Sequence, residues 1–220
     1  MSIITISREF GSGGGKIAEA VAARLGYHLV DKQSLGRILG AYGLVSFSDE
    51  YESPLGFWAN FDGQIKEMVG MLDRATRAVA RHGDAVILGR GSFAILCGFT
   101  DVLHVRIKAP FERRVDRVMS ENGPMERAVA ENTVREGDRV RSSFVQTMYG
   151  MRWDLCSVFD LVVDLGKISP ESATSFILEA ARGLPASGRP GARCQDITAD
   201  DTLDQTVAEV LGCAELHRVG

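Results

Sequence analysis

Residues 1–26 read MSIITISREFGSGGGKIAEAVAARLG, and this stretch decides the fold. Ile3 to Ile6 is a short β-branched, apolar run of the kind a strand buried on both faces requires. It ends at Ser7 and runs into a glycine cluster, Gly11-Ser12-Gly13-Gly14-Gly15. From Lys16 to Leu25 the apolar residues Ile17, Ala20, Val21 and Leu25 share one helical face, and Gly26 stands where a left-handed residue closes a helix. A strand, a glycine turn and a helix in that order predict an anion site. Without Cβ atoms the turn can aim several N–H groups inward, and the positive helix end lies directly behind them. A phosphate group suits that cradle; the alternative is a turn that merely links strand to helix.

The turn departs from the standard phosphate-loop pattern G-x4-G-K-[ST]. If Lys16 is the phosphate lysine, Phe10 occupies a glycine position and Ile17 that of the hydroxyl. If Gly11-Ser12-Gly13 take the usual glycine places, Gly14 replaces the lysine and Gly15 the magnesium-binding hydroxyl. Lys16 then either reaches a phosphate from the first helical turn or is a solvated surface residue.

Outward from this stretch, strands and helices alternate. Leu29-Val30, Ala85 to Leu88, Val102 to Ile107 and Leu161 to Val163 read as further buried strands. Residues 61–82 have apolar positions at helical spacing. Pro110 and Pro170 sit where helices begin, and another helix is expected from after Pro124 to about Tyr149. This pattern predicts an α/β fold with three α/β/α layers and a mostly parallel central sheet. Residues 41–60 lack periodicity and read as a mobile arm. Phe57, Trp58 and Phe61 in or beside it either stack on a base or close a small core or oligomer contact. Residues 184–196 read as a linker, followed by a short amphipathic helix around Leu203, Val207, Val210 and Leu211.

The 220-residue chain is 45% apolar and 25% charged, which suits one globular domain. A net charge of -4 does not indicate a nucleic-acid partner, although arginines crowd Arg106 to Arg141. No apolar run reaches the ~18 residues of a membrane helix. No cleavable leader is evident, and a cytoplasmic location is expected. Cys97, Cys156, Cys194 and Cys213 lack metal or disulfide spacing and read as free thiols; no metal-ligand set is expected. His28, His82, His104 and His217 belong to no recognisable hydrolytic motif.

ITISREFGSGGGKIAEAVAARLGYHLVDKQSL, ILGRGSFAIL, HVRIKAPFERRVDRV and REGDRVRSSFVQTMYGMRWDLCSVFDLVVD together resemble the cytidylate kinase-like family of P-loop proteins. The resemblance spans about residues 2–183. It implies a nucleoside-monophosphate kinase fold, with an acceptor-side arm at 41–60 and an arginine-bearing lid at about 124–150. The implied reaction moves the γ-phosphoryl of ATP to CMP or a related monophosphate, with Mg²⁺. It further implies small-molecule nucleotide partners and a monomer or homodimer. On this resemblance Gly11 to Gly15, Lys16 and Ile17 form the ATP-binding turn, while Asp31, Arg37 and Arg90 meet the acceptor. Lys16, Arg135, Arg139 and Arg141 would supply charge at the transferred group. Asp31 and Arg37 reproduce a D-x5-R element, but Gly91 replaces the aspartate of the family's GRD element.

Each residue has a plainer role open to it. Asp31 either anchors Mg²⁺ through water or caps the helix after it. Arg37 suits a helix surface, and Arg135, Arg139 and Arg141 alternate with acids as on a salt-bridged face. Arg113, Arg114 and Arg117 read as structural. A nucleotide-binding regulator that lost rapid catalysis, or a kinase for another small acceptor, are the competing functions.

Overall fold

The computed structural model describes residues 2–43, 64–184 and 190–213, with side chains of the 64–82 helix described from Glu67 onward. Most of the 41–60 arm, with Phe57, Trp58 and Phe61, lies outside the described residues.

Five strands, β1 (Ile3–Arg8), β2 (His28–Val30), β3 (Ala85–Leu88), β4 (Val102–Lys108) and β5 (Leu161–Asp164), form one sheet. Their order is β2-β3-β1-β4-β5 and every pairing is parallel. Parallel neighbours need crossovers, which the helices supply. The helices are α1 (Gly14–Leu25), α2 (Lys32–Ala41), α3 (Gln64–His82), the short α4 (Ser92–Ile95), α5 (Phe111–Asn122), α6 (Arg127–Tyr149), α7 (Pro170–Gly183) and α8 (Asp201–Leu211).

The strand pleat sends alternate residues to opposite faces, and the core divides accordingly. Ile4 and Ile6 pack with Ile17 and Val21 of α1 and with Ala173 and Ile177 of α7. Ile3 faces the other way, toward Leu35 and Ile38 of α2, Leu72 and Val79 of α3, and Phe144 of α6. The sheet is thus the middle of three layers, as the strand–helix alternation predicts. A third cluster joins α5 to α6 through Val115, Val118, Ala130 and Val134, with Phe10 of the glycine turn packed against it.

Helix α8 buries Leu203 and Val207 in the same core as α2 and α3. Asp204 holds it there, 3.0 Å from Arg81 and 3.3 Å from His82 on α3. The described cysteines Cys97, Cys156, Cys194 and Cys213 are all free thiols. No helix among the described residues is long and apolar enough to cross a membrane.

Thr5 and His104 face each other across β1 and β4, and Thr5 Oγ1 and His104 Nδ1 share a 2.8 Å hydrogen bond. Burial lowers the His104 pKa below its ordinary 6.5, with the Asp160 carboxylate opposing. The native ring therefore resists a proton that the unfolded chain accepts. Above pH 6.5 both states are neutral and this term vanishes; as pH falls below 6.5 it removes stability until the native ring itself protonates. Urea midpoints at pH 7.5 and 5.5 should show a smaller acid loss in His104→Gln than in the wild type. Equal losses would remove His104 from the acid response.

Candidate functional site

Strand β1 delivers the glycine turn to the carboxyl edge of the sheet, between the ends of β3 and β4. Open parallel sheets bind ligands at this edge. Glu9 N–H donates to Ile107 O at 3.1 Å and Ser12 N–H to Glu9 O at 3.2 Å, which folds the chain back on itself. Gly11 and Gly13 take left-handed φ values of 71° and 85°, as the tight reversal requires. Gly13 is also the N-cap of α1 and provides no side-chain cap to the first turn. Ser12 is fully buried and its Oγ accepts from Gly14 N–H at 3.4 Å.

The groups bracing this turn include Arg114 and Arg117, whose pattern in the sequence marks them as structural. Arg117 of α5 donates to Gly11 O at 2.8 Å and lies against Gly13. Arg114, mostly buried, donates to Phe10 O at 3.2 Å and Ala109 O at 3.1 Å. It also pairs with Asp138 of α6 at 2.5 Å. Asp138 in turn accepts the Phe10 N–H at 2.7 Å. Glu9 stands between Arg114 at 3.6 Å and Arg106 at 3.8 Å. Arg106 is buried on β4, lies 4.2 Å from the Trp153 ring and donates to Trp153 O. Burial pulls its pKa down, against the pull of Glu9. The Trp153 indole N–H closes the network on Ser7 Oγ at 2.8 Å.

Arg8, the last residue of β1, points its guanidinium at Gly89, where a Cβ would collide with it. Arg90 follows Gly89 at the end of β3, with φ of 56° and 5% exposure. Gly89 N–H bonds Ile6 O at 3.0 Å, so Arg90 follows β3 at the same sheet edge where β1 runs into the glycine turn. The structure thus brings together Gly11, Ser12, Gly13, Gly14, Gly15 and Arg90, and adds Arg8 and Arg117.

The remaining predicted residues lie elsewhere. Lys16 turns to solvent and pairs with Glu121 at 2.8 Å, its side chain 75% exposed. Ile17 belongs to the core between α1 and the sheet. Asp31 is the N-cap of α2 and accepts from Ser34 N–H at 2.9 Å and Ser34 Oγ at 3.1 Å. Arg37 is exposed on α2. Arg135 pairs with Glu131 and lies over the Phe111 ring, while Arg139 pairs with Glu136; both are largely exposed. Arg141 donates to Gly137 O at 2.6 Å and sits 4.9 Å from the Phe10 ring. Of these three, only Arg141 touches a residue of the turn. Helix α6 is held to the turn by Asp138 and by Gly137, whose missing Cβ leaves room for the Phe10 ring.

The profile of the cytidylate kinase-like family matches residues 3–167. The chain belongs to the cytidylate kinase-like family. Its class, the nucleoside-monophosphate kinases, follows from that membership and agrees with the parallel sheet and the glycine turn. Cytidylate kinase from Methanocaldococcus jannaschii is 26% identical over 83% of this chain and 98% of its own length. That from Haloarcula marismortui is 28% identical over 86% and 94%. A shorter stretch of 101 residues, 46% of this chain, is 33% identical to 19% of a uronate isomerase from Corynebacterium glutamicum. Among solved structures, an uncharacterized protein from Eubacterium ventriosum shares the fold, with TM-score 0.68 and 23% identity over 82% of this chain and 98% of that one.

Gly91 stands where the resemblance leads one to expect an aspartate, and no side chain fits there. Gly91 has φ of 71°, and a Cβ there would lie 2.5 Å from Cε2 of Tyr149. The Tyr149 ring fills the space, and its hydroxyl donates to Asp73 Oδ1 at 2.8 Å. Burial raises the Asp73 pKa above its ordinary value, with the Tyr149 hydrogen bond and the Arg77 charge opposing.

Proposed function

We propose that this chain transfers the γ-phosphoryl group of ATP to a nucleoside monophosphate, CMP foremost. The observation that carries the reading is the pairing of a glycine turn whose N-cap is itself a glycine with Arg8 and Arg90 at the adjoining strand end. Phosphoryl transfer asks a protein chiefly to position phosphates and to neutralise charge on the migrating group. The amides of Gly13, Gly14 and Gly15 bind the donor's phosphates. Arg90 holds the acceptor phosphate in its planar fork, and Arg8 adds positive charge between the two. Arg117 and Asp138 keep the turn in shape.

The described residues form little of a metal site. Gly15 has no hydroxyl to offer, Asp31 is committed to its helix cap, and the described residues contain no cluster of three or more potential metal ligands. Mg²⁺ would be held chiefly through the nucleotide's own phosphates, as suits this reluctantly dehydrated ion. No protein ligand is assigned to it.

A coupled assay with ATP, Mg²⁺ and a panel of monophosphates tests the proposal. Arg90→Lys should lower kcat/KM for the preferred acceptor by about 10²-fold or more, because a point charge cannot replace the bidentate fork. ATP affinity should stay within about twofold and the fold should remain intact. ATP binding without turnover on any acceptor would overturn the kinase proposal. The outward turn of Lys16 would then favour a nucleotide-binding regulator.

A further inference from the structure

We propose that Tyr149 is a positioning residue for Arg90, through which α6 keeps the acceptor loop in step with the glycine turn. This rests on the reading of Arg90 as the acceptor's phosphate ligand. The loop around Arg90 has an uncommon backbone. Gly89, Arg90 and Gly91 take φ values of 74°, 56° and 71°, three successive residues in the left-handed region. Among the described residues only Arg90 and Asp84 enter that region without being glycine. A side chain there is strained, and the conformation persists only where its surroundings enforce it.

Two side chains bracket the loop. The Arg8 guanidinium lies against Gly89 and the Tyr149 ring against Gly91, each so close that a Cβ on the glycine would overlap it. Arg90 between them is 5% exposed. The ring is itself fixed. Its hydroxyl donates to Asp73 Oδ1 at 2.8 Å, and it meets the buried Phe144 ring edge-on, with centroids 5.9 Å apart and planes at 76°. Tyr149 thereby holds Gly91, and with it the backbone that aims Arg90.

The place of Tyr149 along α6 gives the contact a further meaning. Asp138 accepts the Phe10 N–H of the glycine turn, and Tyr149 follows it by eleven residues, at 149 against 138. Eleven residues make about three turns of 3.6, so the two side chains leave α6 on one face, about 16 Å apart along its axis. Tyr149 is also the last residue of the helix, and just beyond it the Trp153 indole is fastened to Ser7 Oγ at 2.8 Å. One helix thus touches the glycine turn through Asp138 and the acceptor loop through Tyr149. Phosphoryl transfer depends on the separation of the donor and acceptor phosphates, and a small misplacement slows it steeply. A rigid element that touches both loops sets that separation.

Equilibrium binding to the full chain tests this, with CMP and a non-hydrolysable ATP analogue as probes in titration calorimetry. Tyr149→Leu removes the ring and should weaken CMP about tenfold or more, with the ATP analogue held within about twofold. Tyr149→Phe keeps the ring on Gly91 and loses only the bond to Asp73, so it should weaken CMP by less than about threefold. Because Tyr149 acts through Arg90, adding Tyr149→Leu to Arg90→Met should weaken CMP by no more than about a further twofold. A merely structural Tyr149 would lower melting and weaken CMP by the same factor in both backgrounds. Gly91→Ala presses a Cβ into the ring from the other side and should repeat the CMP loss, which decides the matter if Tyr149→Leu does not fold. Undiminished CMP binding in folded Tyr149→Leu or Gly91→Ala, or equal losses with and without the Arg90 guanidinium, overturns the proposal. An Arg90→Met chain that binds CMP as the wild type does overturns the reading of Arg90, and the role of Tyr149 with it. If Arg90→Met loses CMP and Tyr149→Leu keeps it, the reading of Arg90 stands and Tyr149 alone is removed.

Discussion

Asp138→Ala should lower the melting temperature by roughly 5–15 °C and weaken ATP binding together with it. The carboxylate does two things at once: it accepts the Phe10 N–H at 2.7 Å and pairs with Arg114 at 2.5 Å. Its side chain is 23% exposed and that of Arg114 9%, so water replaces neither interaction well. Removing one member of such a pair leaves a buried guanidinium and a backbone donor short of an acceptor, which costs about 2–4 kcal/mol. Glu9, 3.6 Å from Arg114, offsets part of the loss and argues for the lower half of that range. At about 2–4 °C per kcal/mol for a chain of this size, the shift follows. Hydrogen exchange at Phe10 should accelerate as well, because its acceptor sits on a different helix from the turn it stabilises. If Asp138→Ala melts with the wild type and exchanges Phe10 at the same rate, α6 does not brace the turn.

That brace shows which parts of the site a sequence can disclose. The β1–turn–α1 unit was legible because each part has a local signature. β-branched residues make the strand, glycines make the reversal, and Gly26 in left-handed conformation ends the helix. The strand–helix alternation likewise predicts three layers and a parallel sheet, and both are present. The place of Arg90 at the end of a buried strand, between two glycines, was legible in the same way. What local pattern could not supply was direction. Arg135 and Arg139 have the right charge near a lid motif, yet helical spacing also sets Glu131 and Glu136 beside them, and they pair along the outer face. Arg114 and Arg117 sit among acids in the same way, but the α5–α6 packing turns them inward. Only the tertiary contact separates the two cases. Asp73 and Tyr149 lie 76 residues apart and share no motif, so their meeting was invisible in the chain. One signal was available: Gly91, standing where the resemblance leads one to expect an aspartate, marked a position where another side chain fills the space.

The same reasoning about space predicts opposite outcomes at two neighbouring glycines. Gly14→Lys installs the lysine of a standard phosphate loop, and it should harm the protein. A Cβ at Gly14 would lie 2.7 Å from Arg8 Cβ and 3.3 Å from Ile107 Cβ, and neither of those atoms is the far end of a flexible side chain. Relieving the overlap means moving β1 or the start of α1, at about 1–3 kcal/mol for overpacking of this kind. Melting should fall by several degrees. ATP affinity should fall too, since Arg8 would leave its place over Gly89. Gly15→Ser installs the hydroxyl of the same motif one residue later, where no heavy atom lies within 4 Å of a Cβ and φ is not left-handed. Serine in a helix is favoured over glycine by about 0.5 kcal/mol, so melting should hold or rise by a degree or two. The new hydroxyl can coordinate Mg²⁺, so ATP should bind more tightly with the metal present and unchanged without it. The contrast separates two accounts of the glycine turn. If steric exclusion by Arg8 keeps lysine out, Gly14→Lys is damaging and Gly15→Ser benign. A stable Gly14→Lys that binds ATP more tightly would mean that Arg8 yields readily and that a lysine suits this turn.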